Sequence, residues 1–127
     1  MASVLHELPQ LQSWHALGLR IRCGLDPDEP RLIDHYLAEG RYLARFKGIP
    51  NRHIAQASFR LLLDTARDTV LPWHWRCLCL DQCWRPLRDL KTLASDRQWR
   101  ACAYELASCV LQPSISLTEL LQGHSDE

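Results

Sequence analysis

Apolar residues return every three or four positions along most of the chain, and most of the runs stop where glycine or proline stands. That spacing lays a continuous apolar stripe along an α-helix, whereas a half-buried strand needs strict alternation. No run alternates cleanly, and the β-branched residues are scattered. Helices are the material of this fold.

The first stripe is Leu11, Trp14, Leu17, Gly18, Ile21 and Leu25, on a helix from about Leu8 or Gln10 to Gly24. Glycine there suits a helix stop. Asp26-Pro-Asp-Glu-Pro30 opens the second helix, where either acid can cap and Pro27 or Pro30 fits a first turn. It buries Leu32, Ile33, Tyr36, Leu37, Gly40, Leu43 and Ala44 and ends at Gly48. Pro50 starts the third, which is apolar around most of its girth from Ile54 to Val70 and ends at Pro72. A helix so widely apolar belongs at the centre, covered by its neighbours.

The fourth helix spans roughly Trp73 to Ala94 and must kink or restart near Pro86, which cannot donate to the carbonyl of Gln82. Ser95-Asp-Arg-Gln98 has capping-box spacing for a fifth helix, Asp96 to Leu111, with Trp99, Cys102, Ala103, Leu106, Cys109 and Val110 inward. Ser116-Leu-Thr-Glu119 repeats that spacing ahead of Leu120 and Leu121. The fold class is therefore all-α: a single-domain bundle of about five helices over residues 1–127. Residues from about 112 form a less ordered tail with a short helix.

At 127 residues and 46% hydrophobic composition, the chain has material for one real core. Fifteen Lys plus Arg balance fifteen Asp plus Glu. Such neutrality lacks the basic footprint of a nucleic-acid binder, so no nucleic-acid partner is expected. Thirteen of the cations are arginine, a planar fork suited to carboxylates and phosphates, although arginine-rich codon usage produces the same bias. No stretch approaches the ~18 uncharged apolar residues of a membrane span. The first residues also lack the pattern of a secretory signal. A cytoplasmic protein without membrane contact is expected, with its six cysteines reduced.

The densest chemistry lies in Pro72-Trp-His-Trp-Arg-Cys-Leu-Cys-Leu-Asp-Gln-Cys-Trp84. Zinc or iron would need thiolates and imidazoles converging within ~2.0–2.3 Å of one ion. On a helix turning about 100° per residue, Cys77 and Cys79 point about 160° apart, while Cys79 and Cys83 share a face. A metal shell would thus use Cys79 and Cys83 with Cys102 or Cys109 from the next helix. His74 and Cys77 could join only if the helix starts late. Packing explains the same residues: Cys77, Leu80, Trp84 and Leu87 form one core stripe, Cys79, Cys83, Leu90 and Leu93 or Ala94 extend it, and a buried free cysteine behaves as a small hydrophobe. The balance favours packing, with no cofactor, and leaves iron or zinc as the alternative.

A second candidate metal set pairs His35 and Glu39 on the second helix with Asp64 and Asp68 on the third, ligand types found in carboxylate-bridged bundles. The usual Glu-x-x-His spacing is missing. No Gly-x-Ser-x-Gly elbow, Gly-rich phosphate loop or CxxCH occurs, so no catalytic residue is assigned. Trp73 and Trp75 remain as candidate partner-binding anchors, since Trp and Arg dominate binding hot spots. They point to different sides of any helix.

The strings Glu29-Pro-Arg-Leu-Ile-Asp-His-Tyr-Leu-Ala-Glu-Gly-Arg-Tyr-Leu43, Phe59-Arg-Leu-Leu-Leu-Asp-Thr-Ala66 and Leu71-Pro-Trp-His-Trp-Arg-Cys77 cover about the middle half of the chain. They resemble the small Fur-associated (FagA-like) proteins of pseudomonads. The resemblance implies a cytoplasmic protein made under iron starvation, from a gene set alongside fumarase and manganese superoxide dismutase, and it carries no catalytic residues. The expectation is a non-enzymatic helical accessory protein acting through protein contacts or self-association in an iron-limitation or oxidative-stress setting. An iron- or zinc-binding protein using the Cys/His cluster is the alternative, and a small metal-dependent enzyme the remote one.

Overall fold

The computed structural model describes residues 8–109. Five helices are bounded within it: α1 (Pro9–Arg22), α2 (Arg31–Phe46), α3 (Asn51–Arg67), α4 (Trp73–Gln82) and α5 (Trp84–Leu93). Residues 96–109 are helical as well and are called α6. No strand occurs among the described residues, so the all-α bundle holds. The expected end of the last main helix at Leu111, the second capping box and the tail from about residue 112 lie outside the described residues. No helix among the described residues is long and apolar enough to cross a membrane.

Glycine and proline punctuate as expected. Pro9 sits in the first turn of α1. At its other end Gly24 takes φ 60°, with Gly24 N–H donating to the Ile21 carbonyl and Leu25 N–H to that of Arg20. This double bond pattern satisfies two carbonyls that a helix end leaves open. A β-carbon on Gly24 would also lie 2.9 Å from Leu71 Cδ2, so both backbone and space require glycine. The cap expected on α2 is different: Asp26 accepts from Arg20 and Asp28 faces His74, while Glu29 Oε1 accepts the N–H of Arg31, the first helical residue, at 3.3 Å.

Two further boundaries differ from the spacing. α3 ends at Arg67, not at Pro72, because Asp68 Oδ1 accepts the Val70 N–H at 3.1 Å and turns the chain. Short polar side chains compete with the helix in this way. Val70, counted as apolar helix, is therefore exposed, and so is Leu25 beyond the end of α1. The long fourth helix is two helices, broken at Cys83. Pro86 then falls in the first turn of α5, where its missing N–H costs least. Ser95 caps α6, accepting the Gln98 N–H at 3.3 Å.

α3 is central, touching α1, α2, α4 and α5. Ile54, Ala55, Ser58, Phe59, Leu62, Leu63, Thr65 and Ala66 are all buried on it. Thr65 donates its hydroxyl to the Leu61 carbonyl at 2.6 Å, which lets a polar side chain sit in that core.

α1 and α2 interlock by exchanging rings and glycines. Trp14 of α1 lies against Gly40 of α2, and Tyr36 of α2 lies against Gly18 of α1. Between them the Trp14 and Tyr36 rings stack, with centroids 5.2 Å apart and planes 10° from parallel. Burial pushes the Tyr36 phenol up to about 12, so it stays neutral. α6 is held differently. Glu105 receives two hydrogen bonds from Arg60 of α3, at 2.8 and 2.9 Å, with Arg67 3.6 Å away.

Two outcomes follow from this packing. A β-carbon on Gly40 would meet Ile54 Cγ2 at 2.8 Å and Trp14 Nε1 at 3.1 Å. Gly40→Ala should therefore lower stability by about 1–3 kcal/mol in urea unfolding, as overpacking does, despite the gain of roughly 1 kcal/mol that alanine brings to an open helix position. A more stable variant would refute the close approach. The second outcome concerns acid. Arg60 hydrogen bonds hold Glu105 below its ordinary value, and the Arg22 hydrogen bond, then the Val70 N–H, do the same for Asp68. A carboxylate depressed on folding adds stability above its unfolded pKa of about 4 and loses it as pH falls through the folded value. The melting temperature should drop on acidification through this range, and Glu105→Gln should remove part of the drop. Equal acid sensitivity in the two proteins would deny the clamp that role.

Candidate functional site

Pro72 sets the start of α4, and the register of this helix decides which chemistry faces inward. Trp75 is 0% exposed and donates its Nε1–H to the Ile21 carbonyl at 3.0 Å. One turn on, Cys79 is buried, followed by Cys83 at the break and then Pro86 and Leu90 of α5. This is the inward stripe. The stripe of Cys77, Leu80, Trp84 and Leu87 lies outside it: three of the four are half-buried, and Trp84 is 51% exposed. Trp75 is thereby corrected from candidate partner anchor to core residue, and Trp84 from core to surface. Trp73 is 40% exposed, as expected of one member of the pair.

All six cysteines are free thiols. Cys79, Cys83 and Cys109 are buried, and Cys83 is near enough to the other two for their charges to bear on it. Burial pushes Cys79 up to about 12 and Cys83 higher still, the neighbouring Cys79 and Cys109 adding to the shift at Cys83. Cys77 and Cys102 are half-buried and shifted the same way, first by burial and then by Asp81 and Glu105 respectively. Cys79 and Cys109 of the first candidate set thus lie within electrostatic reach of Cys83, but the three do not form a ligand group. Cys102 stands instead beside Arg60 and Glu105. His74 is exposed, its Nε2 3.1 Å from Asp28.

The second set is divided. His35 Nε2 lies 3.8 Å from Glu39 Oε1, beside a shallow groove of about 350 Å³ that Gln10, Ala38 and Tyr42 also line. Asp64 is engaged by Arg60 at 3.8 Å and Asp68 by Arg22 at 2.7 Å. Among the described residues no three His, Cys, Asp or Glu side chains converge on a point that could hold a metal ion.

Residues of a different kind stand out at the surface. Arg76 lies over the Trp73 ring at 5.2 Å, Arg88 over Trp84 at 5.1 Å and Lys91 over Trp99 at 5.3 Å. Trp84, Arg88 and Lys91 have i, i+4, i+7 spacing, which places them on one helical face. That spacing was readable, but treating Trp84 as core hid it.

No protein-family model matches the chain, and no curated protein or solved structure matches it. The thiol geometry carries its own expectation. Native labelling should modify exposed Cys23 first, Cys77 and Cys102 more slowly, and buried Cys79, Cys83 and Cys109 last, following their access to reagent. Cys83→Ala should cost about 1 kcal/mol, the size of an ordinary core change. Rapid labelling of the buried three, or unfolding of Cys83→Ala, would show that these thiols do more than pack.

Proposed function

We propose that this chain is a non-enzymatic helical accessory protein that acts through protein contacts, with self-association as one form of them. The observation that carries the reading is the pair of exposed tryptophans, Trp73 and Trp84, each under an arginine guanidinium. Tryptophan and arginine are the residues that dominate binding energy at protein interfaces. Their rings lose little freedom on contact, and a stacked guanidinium is already partly ordered. The resemblance of the middle half of the chain to Fur-associated proteins supplies the setting, a cytoplasmic role in iron limitation or oxidative stress.

The rival reading is an iron- or zinc-binding protein. It is favoured by the burial of Cys79, Cys83 and Cys109 near one another, and opposed by the cost of forming thiolates at Cys79 and Cys83, where burial holds them protonated. A metal-dependent enzyme would further need an open coordination position.

Two measurements on untagged protein separate these. Elemental analysis should find far less than one equivalent of iron or zinc per chain, and about one equivalent would overturn the contact-only reading. Cross-linking in cells grown without iron should capture a defined protein with the wild type. Trp73→Ala with Trp84→Ala should lose it while melting unchanged. Capture that is indifferent to both tryptophans would remove the support for this reading.

A further inference from the structure

The outer face of α5 continues onto α6 as a line of two cations flanked by two rings. Trp84 is followed one turn later by Arg88, whose guanidinium lies 5.1 Å from its ring centroid. Lys91 comes three residues on, its ammonium 5.3 Å from the ring centroid of Trp99 on α6. Arg88 and Lys91 are exposed, and neither has a carboxylate partner among the described residues. Arg22, Arg60 and Arg85 differ in each holding an acid at 2.8 Å or less. The Trp99 indole Nε1 is likewise buried without an acceptor among the described residues. Charge is concentrated here too. Residues 84–104 carry Arg88, Lys91, Arg97 and Arg100 besides the Asp34-bound Arg85, against Asp89 and Asp96, in a chain whose net charge is zero.

We propose that this strip docks an acidic peptide segment of a partner protein, one that sets two carboxylates against Arg88 and Lys91 and an apolar side chain against Trp84. Charge complementarity names the carboxylates. Positions three apart on a helix stand about 5–6 Å apart, a separation that neighbouring acidic side chains can match. The rings hold both cations before contact, which lowers the entropy lost on binding. A single-stranded nucleic acid fits less well. Bases need open ring faces to stack on, and here Arg88 and Lys91 lie over the rings.

The proposal rests on the protein-contact reading and can fail separately from it. The probe is a fluorescein-labelled peptide of alternating glutamate and leucine, with glutamine-for-glutamate and labelled oligothymidylate as comparisons. Titrated with the full chain at low salt, the acidic peptide should bind and quench tryptophan fluorescence, and should release as salt rises. The glutamine peptide and the oligonucleotide should not bind. Arg88→Glu with Lys91→Glu should weaken binding roughly tenfold or more. Arg20→Glu on α1, an exposed reversal outside the strip, should leave it nearly unchanged. The glutamine pair Arg88→Gln, Lys91→Gln serves if the double reversal alters the melt. Absence of peptide binding, equal binding by wild type and strip variant, or binding of oligothymidylate in place of peptide would each overturn the proposal. A cellular partner captured equally by the strip variant would overturn the strip and leave the protein-contact reading standing.

Discussion

The close approach of α1 and α2 depends on two missing side chains. Gly18 and Gly40 each leave a hollow, and each hollow is filled by the aromatic ring that the other helix places one turn from its own glycine. Glycine in a helix interior costs about 1 kcal/mol against alanine. The interlock offsets that cost by letting Trp14 and Tyr36 stack flat within the bundle. Ile54 of α3 closes over the same spot at Gly40, and Leu61 over Gly18, so the central helix is seated by the hollows as well. Alter the spacing of α1 and α2, and the bed on which α3 lies changes with it.

Where α3 meets α4 and α5 the contacts have a different character. α4 and α5 present Trp75, Cys79, Cys83 and Leu90 inward, a seam in which thiols take the place of small aliphatic groups. A thiol packs there without needing a strong hydrogen bond, and burial keeps it protonated. α6 is then held at its edge by charge, through Glu105 between Arg60 and Arg67. The bundle grades from rings interlocked on glycine, through thiol packing, to a partly solvated ion cluster.

Most of the helix boundaries were legible because Gly24, Gly48, Pro50 and Ser95 act locally, through backbone conformation and capping. The inward face of α4 and α5 was legible only in part, at Cys79, Cys83 and Leu90. Two stripes of the same period run along residues 73–90, one starting with Trp75 and the other with Cys77. Hydrophobicity does not separate them. The separation comes from a carbonyl 54 positions away, that of Ile21, which accepts the Trp75 indole N–H. The early end of α3 has a similar origin, since the Asp68 carboxylate is held by Arg22 as well as turning the chain onto itself. For the candidate site, the burial of Cys79 and Cys83 was readable from their shared face. The ring-and-cation strip was visible as spacing yet read as core, because tryptophan content alone does not say which side of a helix is wet.

One corner of the molecule also bears on how the chain assembles. Helical bundles form mostly short-range contacts and fold fast for that reason. Here the turn after α1 and the turn after α3 are bound to each other by Leu71 against Gly24, Arg22 with Asp68, Asp28 with His74, and Trp75 with the Ile21 carbonyl. The three hydrogen-bonded pairs span 46, 46 and 54 residues. Neither turn is complete without the other. The α1–α2 hairpin is local in sequence, but its connecting corner is finished only when α4 has been laid down. Ordering of that corner thus joins distant parts of the chain.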